Sequence, residues 1–288
     1  MKTGLIEVTG GKVWYKIVGE DKKNTPLLVL HGGPGIPHDY LEDLEILADE
    51  RPVIFYDQLG CGNSDKPNDK SLWQTAHYVE ELYRIRQSLE LKNVHILGQS
   101  WGTMLAVEYM ATKNPTGIKS LILSGPALSI SRWIKDQRTY LKELPEELQK
   151  CITECEKNKD FKSEKYQKAI DVYYHKHVCQ MSPWPECLNR SLSKMNPEIY
   201  EHMCGPSEFT VSGTLKSFER AEDLKNIKIP VLYTCGRYDE AAPGSTEYYK
   251  NLTPRAEMVI FEDASHEHHL EKKEEFIKVV RAFLQKIK

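Results

Sequence analysis

Residues Asn93 to Ala106 read NVHILGQSWGTMLA. Val94, Ile96 and Leu97 form a short apolar run that suits a strand buried on both faces. Gly98-Gln99-Ser100-Trp101-Gly102 then fits the pattern G-x-S-x-G. From Thr103 to Met110 the chain continues without Gly or Pro, as a helix does. A strand, a sharp turn and a helix with a serine at the apex is a nucleophile elbow. Glycines two residues to either side give the turn room. The free N–H groups that open the following helix face the apex and favour negative charge there.

The flanking sequence repeats the strand–helix rhythm. Apolar runs predict strands at 5–8, 12–18, 26–30, 52–56, 94–97, 118–123, 229–235 and 257–261. The first two are joined across Gly10-Gly11, a hairpin signal. Helical spacing is found at 40–47, 75–89, 245–252 and 270–286. Strands alternating with helices predict an α/β fold: a mostly parallel eight-stranded sheet with helices on both faces. From Leu128 to Glu222 the composition shifts to Lys, Glu, Tyr, Cys and Met, with candidate helices at 129–142, 145–157, 161–178 and 184–194 and punctuation at Pro183, Pro185 and Pro197. The expected organisation is a core of 1–127 and 223–288 with a helical cap inserted at 128–222.

The chain has 288 residues, a formal net charge of −3, 40% hydrophobic and 28% charged residues, the profile of a soluble globular protein. Nothing in this charge balance predicts a nucleic-acid or anionic-membrane partner. The first twenty residues contain no apolar signal core, and no apolar run approaches the ~20 residues that span a bilayer. The expected location is cytoplasmic. The odd count of seven cysteines then favours free thiols.

In a parallel sheet, reactive groups sit beyond the carboxyl ends of strands. Ser100, Asp239 and His266 each follow such a strand, and their order is that of the α/β-hydrolases. Ser100 needs a base, and His266 needs an acid that fixes its tautomer. His266 stands closest to the strand end, ahead of His268 and His269. The tract His266-Glu267-His268-His269 has poor metal-ligand spacing and no HExxH occurs, so neither metal nor cofactor is expected. His31-Gly32-Gly33-Pro34-Gly35 follows a buried strand. Gly33 N–H and Trp101 N–H are the expected oxyanion donors, and His31 is expected to be structural.

HGGPG at 31–35, YDQLGCGNSD at 56–65, GQSWGTMLA at 98–106 and GRYDE at 236–240 together resemble the proline iminopeptidases, serine peptidases of the α/β-hydrolase fold. Within that family the chain is most similar to the tricorn-interacting aminopeptidase. The resemblance extends over nearly the whole chain. One departure is Asn63, where the family commonly has arginine. The resemblance implies that two glutamates hold the free α-ammonium group of the substrate: Glu240, after the triad aspartate, and Glu208, in CGPSEFTVSG at 204–213. It implies a serine aminopeptidase that releases one N-terminal residue, proline or small and apolar, from short peptides or amides. Docking to a larger protease is implied by the resemblance alone. Amino-acid amidase activity would use the same site. A carboxylesterase or carbon–carbon bond hydrolase of the same fold would not need Glu208 and Glu240. A non-catalytic binding member has no use for all three triad residues. Which of Trp133, Tyr140, Tyr173, Tyr174, Met181 and Trp184 face the pocket is open from sequence.

Overall fold

The computed structural model describes residues 1–287. Eight strands form one sheet: β1 (Lys2–Val8), β2 (Gly11–Val18), β3 (Leu27–Leu30), β4 (Val53–Tyr56), β5 (Val94–Gln99), β6 (Ile118–Ser124), β7 (Val231–Gly236) and β8 (Ala256–Phe261). Their order is β1-β2-β4-β3-β5-β6-β7-β8. Only the β1/β2 and β2/β4 pairs are antiparallel. The mostly parallel eight-stranded sheet expected from the apolar runs is therefore present. β3, β4 and β5 are buried at every position, because apolar layers cover both faces.

One layer contains α1 (Thr75–Ser88) and α2 (Trp101–Lys113), whose buried Tyr78, Leu82, Leu105 and Tyr109 pack against Leu28, Ile96 and Leu121. The other contains residues 38–49 and the C-terminal helix. The stretch expected as a helix at 40–47 is a 3-10 helix, His38–Asp49. Leu41, Leu44 and Leu47 are all buried. Their spacing of three matches the three-residue turn of a 3-10 helix and keeps them on one face.

Between β6 and β7 the chain leaves the sheet and forms α3 (Ile130–Leu141), α4 (Glu146–Asn158), α5 (Glu164–His177), α6 (Glu186–Ser193) and α7 (Pro197–Met203). Part of this segment has an apolar centre of its own, in which Leu141, Ile152, Tyr166, Tyr173 and Phe209 meet. α7 has no counterpart among the expected helices, where Pro197 served as punctuation. Pro197 is instead the first helical residue, where its missing N–H costs nothing, and the Asn196 side chain accepts from Glu198 N–H as the cap. Ion pairs from Arg190 on α6 to Asp39 and Glu42 tie the segment to the 38–49 helix.

After β7 follow α8 (Pro243–Leu252), α9 (His268–Glu271) and α10 (Lys273–Gln285). The single helix expected at 270–286 is divided at Lys272, whose φ of −127° and ψ of 44° lie outside the helical range. Among the described residues no helix is long and apolar enough to cross a membrane.

Candidate active site

β5, an interior strand, delivers Ser100 beyond its carboxyl end in a conformation that side-chain-bearing residues rarely adopt, φ 52° and ψ −120°. The turn closes only because its flanks are bare. A Cβ at Gly98 would overlap the Gly102 carbonyl, and one at Gly102 would overlap the Leu30 carbonyl. Hydrogen bonds hold the strained residue from both sides. Ser100 N–H donates to Ser124 O at 2.9 Å. Thr103 N–H and Thr103 Oγ1 donate to Ser100 O at 2.8 and 2.7 Å.

The loop after β3 lies against this elbow. Gly32 N–H donates to the Tyr40 hydroxyl at 2.7 Å, which donates to Gln99 Oε1 at 2.6 Å. His31 Nε2 accepts from Gln58 N–H at 2.9 Å, and Gln58 Oε1 accepts from the Trp101 indole at 2.8 Å. Burial pushes His31 down to about 4, so it stays neutral and can accept. Asn63 holds the neighbouring turn: its N–H and its side-chain amide both donate to Asp57 Oδ2 at 2.8 Å. Gly33, at φ 103°, lines the same cavity as Ser100. Trp101 is the first residue of α2, so its N–H belongs to the unpaired first turn.

Asp239 and His266 arrive from the ends of β7 and β8. Asp239 is completely buried and His266 is 3% exposed. His266 Nδ1–H donates to Asp239 Oδ1 at 2.7 Å. The same carboxylate accepts from Ala241 N–H at 2.7 Å and Gly236 N–H at 3.2 Å. Burial opposes charge on Asp239, but the adjacent His266 imidazole and His268 hold its carboxyl well below the usual range. Burial likewise opposes charge on His266, and Asp239, Glu240 and Glu267 outweigh it, so its pKa is raised. His266 Nε2 has no hydrogen-bond partner, and its ring lines the cavity that Ser100 lines. The other two histidines are occupied elsewhere. His268 Nε2 meets Ser124 Oγ and Thr234 Oγ1 at 2.9 and 3.0 Å, and His269 Nε2 meets Tyr40 O at 3.1 Å.

Glu208 and Glu240 line this cavity, which has a volume of about 230 Å³. Glu240 Oε1 lies 3.7 Å from His266 Nε2. The Tyr173 hydroxyl reaches Glu240 Oε2 at 3.4 Å, and the Tyr200 hydroxyl donates to Glu208 Oε1. Burial raises both carboxyl groups, and for Glu240 the neighbouring Glu208 adds to the effect. Among the described residues no lysine or arginine lines the cavity. Two buried carboxyls, with the His266 imidazole as the neighbouring group that favours their charged forms, make a site that a positively charged group entering from outside would complete.

A smaller chamber of about 40 Å³ shares Gly33, Ser100 and Glu208 with the larger one and is walled by Ile130, Trp133, Met104 and Val211. Of the aromatic and Met side chains left open from sequence, Tyr174 and Trp184 line the larger cavity and Trp133 the smaller. Tyr173 stands behind Glu240, Tyr140 donates to Asp239 O at 3.0 Å, and Met181 is exposed. Sequence reasoning missed Tyr200, because α7 went unrecognised, and Glu267, which lines the cavity directly after His266. Among the described residues no group of three or more His, Cys, Asp or Glu side chains is placed to hold a metal ion. All seven cysteines are free.

Residues 25–273 match the family model of the alpha/beta hydrolase fold. The chain is 48% identical over 285 residues to a proline iminopeptidase of Heyndrickxia coagulans, covering 99% of both chains. It superposes on the crystal structure of a proline iminopeptidase from Mycobacterium smegmatis with a TM-score of 0.91 at 33% identity, covering 99% of this chain and 98% of that one. The crystal structure of VinJ matches with a TM-score of 0.95 at 30% identity, covering 100% and 99%. A match of this extent and identity, over a chain whose serine elbow and strand-end residues are arranged as described, places it: the protein belongs to the proline iminopeptidase family of the α/β hydrolase fold.

Proposed function

We propose that the protein is a serine aminopeptidase that releases a single N-terminal residue, proline or small and apolar, from short peptides and amino-acid amides. The observation that carries this reading is the pairing of Glu208 and Glu240 in the cavity shared by Ser100 and His266, with no lysine or arginine among the described residues of its lining. A substrate α-ammonium group between the two carboxylates would bring the first carbonyl carbon to Ser100. The smaller apolar chamber beside Glu208 would take the first side chain.

In this reading, Ser100 Oγ attacks the carbonyl carbon while His266 Nε2 takes the hydroxyl proton. Asp239 holds the imidazole in the required tautomer and stabilises its charge. The N–H groups of Gly33 and Trp101 receive the oxyanion. The C–N bond breaks as His266 returns the proton to the leaving amine, and the residue remains as an ester on Ser100. Water, deprotonated by His266, hydrolyses that ester and releases the amino acid. The scheme draws on no cofactor.

Residues 128–222 act as a cap over a core of 1–127 and 223–288: Glu208 comes from the cap and Glu240 from the core, so the two together limit the site to a free N-terminus. A cytoplasmic location belongs to the same reading, since seven free cysteines suit a reducing compartment. Docking to a larger protease rests on the family resemblance alone.

The test compares prolyl anilide, its N-acetylated form and a simple acyl ester. Acetylation should lower kcat/KM by about a hundredfold or more, because it removes the cation from a buried charge-assisted site. Equal cleavage of the free and acetylated anilides would show that the carboxylates do not recognise an ammonium group. An esterase of the same fold would prefer the ester and ignore acetylation.

A further inference from the structure

Glu267 is a third buried carboxyl group in the same cavity, and the ammonium clamp does not use it. The residue is 6% exposed, and its Oε2 is buried without a hydrogen-bond partner. Its nearest basic group is His269 Nε2 at 3.5 Å. That nitrogen is directed to Tyr40 O at 3.1 Å, and burial pushes His269 down to about 3, so it brings no positive charge. Burial in turn pushes Glu267 up to about 8. His266 is the neighbouring group that favours the charged form of Glu267, but among the described residues Oε2 has no hydrogen-bond donor, and an acid buried in this way weakens the fold.

The two chambers indicate where a partner would come from. Glu208 belongs to both, together with Ser100 and Gly33. Glu267 and Glu240 belong only to the larger, with Val178, Trp184, Leu188 and Leu192. If the α-ammonium lies between Glu208 and Glu240 and the first side chain enters the smaller chamber, the leaving group extends into the remainder of the larger chamber. The leaving amine takes its proton from His266, the residue next to Glu267. A lysine or arginine side chain suits such a wall, with its methylene stem along Trp184 and Leu188 and its charge at the carboxylate.

We propose that Glu267 is a specificity-determining residue that binds a basic side chain at the second position of the substrate, on the leaving-group side of the scissile bond. This rests on the aminopeptidase reading for its orientation, and the test separates the two. Four dipeptide amides are titrated by calorimetry into the Ser100→Ala protein, which does not consume them: prolyl-lysinamide, prolyl-norleucinamide and the N-acetylated form of each. Lysine should bind about tenfold or more tightly than norleucine, the scale of a close charge pair. In Ser100→Ala/Glu267→Gln that ratio should fall to about one, while the penalty for acetylation persists. Glu267→Leu should give the same ratio and replaces the glutamine variant if that one does not fold. A lysine-to-norleucine ratio near one in the Ser100→Ala protein, or a ratio that survives both substitutions at Glu267, overturns the proposal. Failure of the ammonium clamp appears separately, as the absence of an acetylation penalty.

Discussion

Glu240 Oε1 lies 3.7 Å from His266 Nε2, so the group proposed to recognise the substrate's charge sits beside the proposed base. In the proposed mechanism this proximity couples recognition to proton transfer. Burial raises the Glu240 carboxyl, and the negative charge of Glu208 adds to the effect. A bound ammonium favours the ionised form of Glu240, and that charge bears directly on His266.

A pH dependence follows. Only neutral His266 can take the serine proton, and nearby negative charge raises its pKa. In the enzyme–substrate complex Glu240 is ionised by the bound ammonium. Glu240→Gln removes that charge, so His266 loses its proton more readily. The acid limb of the kcat profile, which reports the complex, should move to lower pH by about one unit. An unchanged or raised limb would mean that Glu240 carries no charge while substrate is bound.

Ser100→Ala should lower kcat by more than about 10⁴-fold, since residues acting as one unit fail together. Its thermal unfolding midpoint should not fall, because the strained elbow is held by backbone bonds that alanine keeps. Substantial activity in a purified, folded variant would remove Ser100 from the role of nucleophile.

Tyr200→Phe removes the hydroxyl that donates to Glu208. That hydrogen bond favours the charged carboxylate, so its loss raises the Glu208 pKa further and weakens the clamp. KM for prolyl anilide should rise about tenfold with little change in kcat. Hydrolysis of a simple acyl ester, measured in parallel, should be unaffected.

The elbow's packing gives a stability prediction with its own control. Gly102→Ala places a methyl group against the Leu30 carbonyl, where no side-chain rotation relieves the overlap. Urea denaturation should show a loss of about 3 kcal/mol or more. Gly244, inside α8, has nothing within 4 Å of an added Cβ. There alanine should stabilise by up to about 1 kcal/mol, through helix propensity and a less flexible unfolded chain.

The buried parallel strands were legible because they are short, nearly continuous apolar runs, as Leu27–Leu30 (LLVL) and Val53–Tyr56 (VIFY) show, and the first two strands by the Gly10-Gly11 link between them. The elbow was legible because its glycines are dictated by local sterics. Less was visible where one signal had two meanings. The Leu41, Leu44, Leu47 series fits a helix of either pitch at that length. Pro197 both ends and begins helices, and reading it as a break hid α7 and with it Tyr200.

The sequence by itself determined the α/β framework, the strand ends at which Ser100, Asp239 and His266 stand, and the family motifs that pointed to Glu208 and Glu240. These depend on periodicity and turn chemistry, which neighbouring residues encode. Only the tertiary structure decided which acids face the cavity and which histidines are engaged elsewhere. His268 is engaged by Ser124 and Thr234, and His269 by Tyr40, whereas Glu267 is left facing the cavity with Glu208 and Glu240. Those partners come from segments separated by tens to hundreds of residues. Burial and charge balance are set by what surrounds a side chain in space, and no local stretch of sequence carries that information.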